Sequence, residues 1–457
     1  MKSKKILITA LLLAGMTLPL VSCGESTVIT LWVGEESAEF YQQVCNEYVE
    51  SHPDFKYTIS VTGVDTGTVG GAMATDNTAC ADIIVTAHDN IGKLVERGLV
   101  YPFTDEALIT QVTDDNPASY LDVVYSTYET VRSLYGVPFI SQALMLYYNK
   151  DYVTAEQAQS FEGLMQAAAA KSSKTKAFTI AGTDGFNYSF NLLAVNASNN
   201  YTSLKIYKNL EKNNCYAQGD DEIASLRWAQ RTFNHDNGGL LPGDSNWATT
   251  IANKAVLSMI GGAWHYDAFT TAIGKSKTGI TLIPTYTLNA DDVAGLSAIS
   301  EGTVMQGGTF ADCKVLMMNF AASAKKYPYM QDIISYLSSK EVQLQSFIEC
   351  ANVPAYLGAE DDIAEVQEQV DPTVYDLAVA QTSMAAYGIP QPFVTGTLNT
   401  YYYSKSAPDY YKNAVINDGG TYSTLAKLRE TLYIMEHIWQ KGKLPDTIPE
   451  DLPVDIA

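Results

Sequence analysis

The chain has 457 residues, 46% hydrophobic and 18% charged, with 51 acidic against 29 basic side chains and a net charge of −22. That length exceeds one ordinary core and implies two lobes or domains. The acidic balance argues against nucleic acid or anionic lipid as a partner, because binding phosphate needs basic patches.

The N-terminus reads as an export signal. Lys2, Lys4 and Lys5 form a basic start, and Ile6 to Leu13 form an apolar run too short to span a bilayer comfortably. Leu20-Val21-Ser22-Cys23 looks like a bacterial lipobox, so residues 1–22 are expected to be removed and Cys23 to be acylated. No later segment is long and apolar enough to span a membrane. A body on a lipid tether outside the cytoplasm follows. The other cysteines, Cys45, Cys80, Cys215, Cys313 and Cys350, are odd in number and lack CxxC spacing. Buried free thiols are expected for most of them, rather than disulfides or zinc ligands.

"TVITLWVGEE" predicts a buried first strand ending at Gly34, and helical spacing from Phe40 to Val49 is stopped by His52-Pro53. "FKYTISVTGV" is a second strand. A Gly- and Thr-rich loop, Gly63 to Gly71, then leads through a short helix to the strand Ile83-Ile84-Val85. This β-α-β-α order implies a largely parallel sheet covered by helices, with ligands beyond the carboxyl ends of its strands. Gly34-Glu35-Glu36 and Ala87-His88-Asp89 are two such ends.

"YGVPFISQALMLYYNKDYV" reads as a strand crossing into another lobe, with Thr154 able to cap the helix that follows. "KAFTIAG" is a strand followed by the polar-aromatic loop Thr183 to Tyr188. "KAVLSMIGGAWHYDAF" runs from a strand through Gly261-Gly262 to Trp264, His265, Tyr266 and Asp267. A Trp at a strand end after two glycines is placed to project into space, against the ordinary reading of Trp as core. "GITLIPT" and "KVLMMNF" are short strands, joined by a Gly-rich connection, and Leu425 to Trp439 is a long amphipathic helix.

Catalytic and metal motifs do not emerge. Gly274-Lys275-Ser276 lacks the leading glycine of a phosphate loop, having Phe269 there, and no HExxH, GxSxG, GxGxxG or EF-hand pattern occurs. His88 with Asp89 gives too few ligands for a metal, and a structural His bonded to its own loop is the ordinary reading of His88. Nothing in the sequence calls for a cofactor.

Several of these stretches together resemble the extracellular solute-binding proteins of sugar ABC importers, of the maltose and maltodextrin-binding type. "ADIIVTAHDNIGKLVERGLVYPFT", "YGVPFISQALMLYYNKDYV", "AVLSMIGGAWHYDAF", "ITLIPT" and "SYLSSKEVQLQSF...NVPAYLGAEDD" match that family's segments in order, from about Thr27 to Asp418. The resemblance implies a class II periplasmic-binding-protein fold: an α/β protein of two discontinuous lobes, mostly parallel sheets flanked by helices, joined by hinge strands. It divides the chain into 23–139 and 309–357 for lobe 1, 140–308 and 358–445 for lobe 2, and a tail at 446–457. The crossings map to Phe139-Ile140-Ser141 and roughly Gly307 to Cys313.

It further implies a lipid-anchored, monomeric receptor that binds a carbohydrate in the cleft and delivers it to permease subunits, with no enzymatic activity. Asp89 matches a sugar-binding Asp and Trp264 a stacking Trp on the facing lobe. Gln142 stands for a Glu, Glu35 and Glu36 for an Asp-Lys pair, and Thr86 for an aromatic. Asn187 and Tyr188 replace two aromatics, and Tyr266 replaces a second Trp. The lost Lys and the lost aromatic rings leave the particular sugar open. The alternatives are a surface lipoprotein that binds or degrades polysaccharide, or a sensory sugar-binding domain on the same fold.

Overall fold

The computed structural model describes residues 27–197, 220–241, 246–390, 406–449 and 452. Residues 1–22, expected to be a signal peptide, and Cys23, Cys215 and most of the tail at 446–457 lie outside the described residues.

The first sheet is built from β1 (Val28–Gly34), β2 (Thr58–Val64) and β3 (Ile83–Ala87), in spatial order β3-β1-β2 and all parallel. Ile29, Leu31, Val33, Ile83, Ile84 and Val85 are all buried, as near-continuous apolar runs require in a sheet covered on both faces. Helices Ala38–Ser51 and Thr66–Asp76 join the strands. The latter begins inside the segment read above as a loop. Asp65 caps it by accepting from Gly67 N at 3.0 Å, and Gly70 is needed because a Cβ there would lie 2.1 Å from the Asn90 side-chain oxygen. Glycines that permit close packing had the appearance of loop residues.

β4 (Val137–Gln142) joins the same sheet, and after Ala143 the chain continues as β5 (Leu144–Asn149) in a second sheet. The exchange falls at Ala143, just beyond the Phe139–Ser141 crossing expected from the sequence. β6 (Lys176–Ile180), β7 (Val256–Gly262) and β8 (Thr278–Thr281) complete the second sheet with the short Gly239–Leu240 strand. Its order is Gly239–Leu240, β6, β7, β5, β8. Thr154 caps only the short turn Gln157–Gln159. Ser160 caps the helix Phe161–Lys171, accepting from Gly163 N at 3.0 Å.

The chain returns through Gly307-Gly308-Thr309 into β9 (Phe310–Asn319), which runs antiparallel to both β3 and β4. Within the Gly-rich connection, Val304–Gln306 is itself a strand, paired with Thr285–Thr287 and Val195–Asn196. A third crossing follows the helix Pro372–Tyr387, where Ile389–Pro390 pairs with the start of β9. The last helix extends over Leu425–Lys441.

Each lobe has its own core. Lobe 1 packs Tyr41, Ile83, Leu94 and Met317, while lobe 2 packs Phe161, Phe178, Trp228 and Tyr286. A third cluster joins the other face of the second sheet, at Met145 and Met259, to Phe347, Tyr356 and Leu377. Cys45 and Cys313 are buried free thiols, and Cys80 and Cys350 are half-buried ones.

Lobe 1 also contains a nearly buried ion pair that fastens the start of its sheet. Asp82 accepts from Thr30 N at 2.8 Å and from Lys326 Nζ at 2.9 Å, and the Lys326 side chain is only 10% exposed. Asp82→Ala strands that ammonium and should cost about 3–5 kcal/mol, read as a lower urea midpoint. Adding Lys326→Met should recover part of the loss. No recovery would mean that the Thr30 hydrogen bond carries the effect.

Candidate functional site

A cavity of about 310 Å³ lies between the lobes. Its lobe 1 wall is made by the ends of β1 and β2: Gly34, Glu35 and Glu36, then Val64, Asp65 and Thr66. Parallel strands deliver their carboxyl ends to one edge, so the wall follows from the topology of the sheet. The hinge supplies Ile140 and Gln142 from β4 and Lys314 from β9, and lobe 2 supplies Trp264, Tyr266 and Asp267 just past the end of β7. Asn352 and Leu377 close the remaining side.

Trp264 is 43% exposed, which settles its placement against the core reading. Gly262 makes this geometry possible: a Cβ there would lie 2.2 Å from the indole ring. Phe186 supports the indole, with ring centroids 5.7 Å apart. Tyr266 is buried on the same wall, and its hydroxyl has no hydrogen-bond partner among the described residues. His265 does a structural job. Its Nδ1 accepts from Gly262 N at 3.2 Å, and burial holds its pKa down to about 4, so it is neutral.

The sequence reading is therefore assembled in part. Glu35, Glu36, Gln142, Trp264 and Tyr266 line one cavity. Thr86 does not. It is fully buried, and its hydroxyl accepts from Asn90 Nδ2 at 3.2 Å, because the penultimate residue of β3 still points into lobe 1. Tyr188 is likewise a core residue, its ring 4.3 Å from that of Tyr411. Asn187 is buried beside it and donates to both carboxylate oxygens of Asp184 at 3.0 Å. The structure buries both, and neither lines the cavity.

Asp89 is half-buried and is not among the residues that line the cavity; it lies next to a buried pair. His88 is fully buried and paired with Asp312 of β9, and Asp312 lies opposite Gln142 in the sheet. Burial pushes the Asp89 carboxyl up to about 6, Asp312 adding to the shift while His88 and Lys93 oppose it.

Lys314, Asp65, Thr66, Asp267 and Asn352 were missed. Lys314 restores a cation to a cleft that has Glu36 where the resemblance predicts a lysine, but it comes from β9, far away in sequence. Burial lowers its pKa, against the opposing charges of Glu36, Asp312 and Asp65. The wall thus sets four carboxylates against one ammonium. Only strand pairing could reveal this, since in sequence Lys314 is one polar residue in an apolar run.

Asp89 makes the pH dependence of stability testable. A carboxyl whose folded pKa is raised to about 6 binds its proton more tightly in the native state. Its contribution is therefore greatest below about pH 4 and is lost as pH rises through 6. Asp89→Asn should flatten urea-midpoint profiles between pH 4 and 6 and stabilise the protein at pH 7 by about 1–3 kcal/mol. A parallel profile for variant and wild type would show that Asp89 is not the group responsible.

The family model for bacterial extracellular solute-binding proteins matches residues 43–373. A maltooligosaccharide ABC transporter solute-binding lipoprotein of Streptococcus pneumoniae serotype 4 is 26% identical over 314 residues, covering 62% of this chain and 68% of the relative. Among solved structures, an unliganded maltodextrin-binding protein of L. casei superposes with a TM-score of 0.67 at 18% identity, covering 92% of this chain and all of that one. A Streptococcus pneumoniae protein in complex with maltopentaose gives 0.61 at 18% identity, covering 88% and 98%. At such identities the structures establish the fold, the two-lobe class II architecture expected from the sequence. The match of the family model across most of the chain makes this protein a member of the bacterial extracellular solute-binding protein family.

Proposed function

We propose that this protein is the carbohydrate receptor of an ABC importer, taking an oligosaccharide of the maltodextrin class into the cavity between its lobes. The observation that carries the reading is Trp264, an exposed indole in lobe 2 across a cavity from Glu35, Glu36 and Asp65 of lobe 1. Sugar rings offer C–H faces to an aromatic ring and hydroxyls to carboxylates and amides, and this wall supplies both kinds of surface. Gln142 adds an amide at the hinge and Lys314 an ammonium. The 26% identical streptococcal relative, a maltooligosaccharide solute-binding lipoprotein, supports the same ligand class.

A ligand touching both walls favours the closed arrangement in proportion to its differential affinity for it, and the crossing strands are where the lobes would bend. On this reading the protein is a monomeric receptor that returns its ligand unchanged. It is held outside the cytoplasm by a lipid on Cys23 and hands sugar to permease subunits. Recovery of shortened oligosaccharides after incubation would instead identify the polysaccharide-degrading alternative.

Isothermal calorimetry with maltotetraose tests the reading directly. Trp264→Ala should weaken binding by about 1–3 kcal/mol through lost apolar contact. The melting temperature should barely move, because the side chain is exposed. Wild-type protein that ignores maltotetraose and a panel of other oligosaccharides would refute the carbohydrate reading. Cys23→Ser should shift the protein from the membrane to the soluble fraction almost completely, whereas a variant that remains membrane-bound would refute the anchor.

A further inference from the structure

The end of lobe 1 opposite the cavity carries an aromatic surface that the ligand site does not use. Phe320 follows β9 directly and is 50% exposed, an unusual state for Phe. Its ring stacks on half-buried Tyr101 at 4.3 Å, and Tyr327 meets Tyr101 edge-on at 3.8 Å. Just before β2, Phe55 and Tyr57 pack against Tyr329 at 5.5 and 5.0 Å, all three partly exposed.

Hydrogen bonds place both groups at the start of β1. Thr58 N donates to Thr27 O at 2.9 Å, Thr30 N donates to Asp82, and Asn319 N donates to Asp82 O at 2.9 Å. Phe320 N then donates to Leu99 O, beside Tyr101. The cavity lies at the other end of the same strands, and seven residues of β1 separate the two by roughly 20 Å.

We propose that this end of lobe 1 is a bilayer-facing surface, on which the aromatic side chains rest in the lipid headgroup layer and hold the cavity away from the membrane. The proposal rests on the Cys23 anchor proposed above. Four residue steps separate Cys23 from Thr27, and even fully extended they reach only about 14 Å. A lipid on Cys23 therefore keeps the start of β1 within that distance of the membrane, and the aromatic surface surrounds that start.

Tyr suits such a layer because its ring is apolar and its hydroxyl wet. The chain's net charge of −22 argues against contact with a membrane over most of its surface. At this end exposed Lys56 and Lys325 lie in the same segments as the aromatic residues.

The test uses the full, lipidated protein in phosphatidylcholine vesicles with and without brominated acyl chains, which quench nearby Trp. Phe320→Trp adds a reporter to the aromatic surface. Leu357→Trp adds one at a site 59% exposed near the hinge, where Ile140 bridges Pro354. Relative to wild type, the added emission of Phe320→Trp should fall by about half in brominated vesicles, since an interfacial ring lies within reach of the bromines. That of Leu357→Trp should be unchanged. Equal quenching of both reporters, or of neither, in protein that floats with the vesicles would overturn the orientation while leaving the anchor intact. Protein that does not float with the vesicles would overturn the anchor and the orientation together.

Discussion

The backbone of one segment belongs to two sheets, and the rest of the molecule is arranged around that constraint. β4 pairs with β9 in lobe 1, and β5 pairs with β7 and β8 in lobe 2, with Ala143 alone between them. The return crossing is stitched to the first, because Leu144 N donates to the Thr309 hydroxyl at 2.9 Å. Gly308 permits the close passage: its N donates to Phe190 O at 3.0 Å, and a Cβ there would lie 2.1 Å from the Leu193 carbonyl oxygen. Short extended segments bend through a few dihedrals without unfolding either core. Two rigid bodies joined in this way leave a cavity between them whose walls belong to different cores.

Electrostatics at the crossing follow from the same pairing. Because β9 lies against both β3 and β4, it brings Asp312 to His88 and, two residues further on, presents Lys314 to the cavity. One strand thus pairs a buried histidine and sets an ammonium near Glu36 and Asp65. Four carboxylates on the wall suit donors such as hydroxyls and disfavour an anionic ligand. The lobe 1 wall of the cavity and the aromatic surface at the opposite end also have one cause: parallel strands gather all their starts at one edge and all their ends at the other.

Local patterning determined a good deal by itself. The apolar runs at Ile83–Val85 and Val256–Ile260 had to be buried strands, because nothing else hides so many β-branched and apolar side chains in so few residues. The glycine pair before Trp264 pointed to a projecting ring because its reason is local: the indole folds over Gly262. The family resemblance supplied the order of lobes, while the helix at Thr66–Asp76 stayed hidden because the glycines that suit its packing weaken its propensity. Tertiary structure alone decided which side of a loop each side chain faces. Asn187 and Tyr188 turn toward Asp184 and Tyr411, and Thr86 is buried within lobe 1. It alone found Lys314, because the charge that reaches a cavity is set by which strands pair, and pairing between residues more than two hundred positions apart leaves no mark in either local sequence.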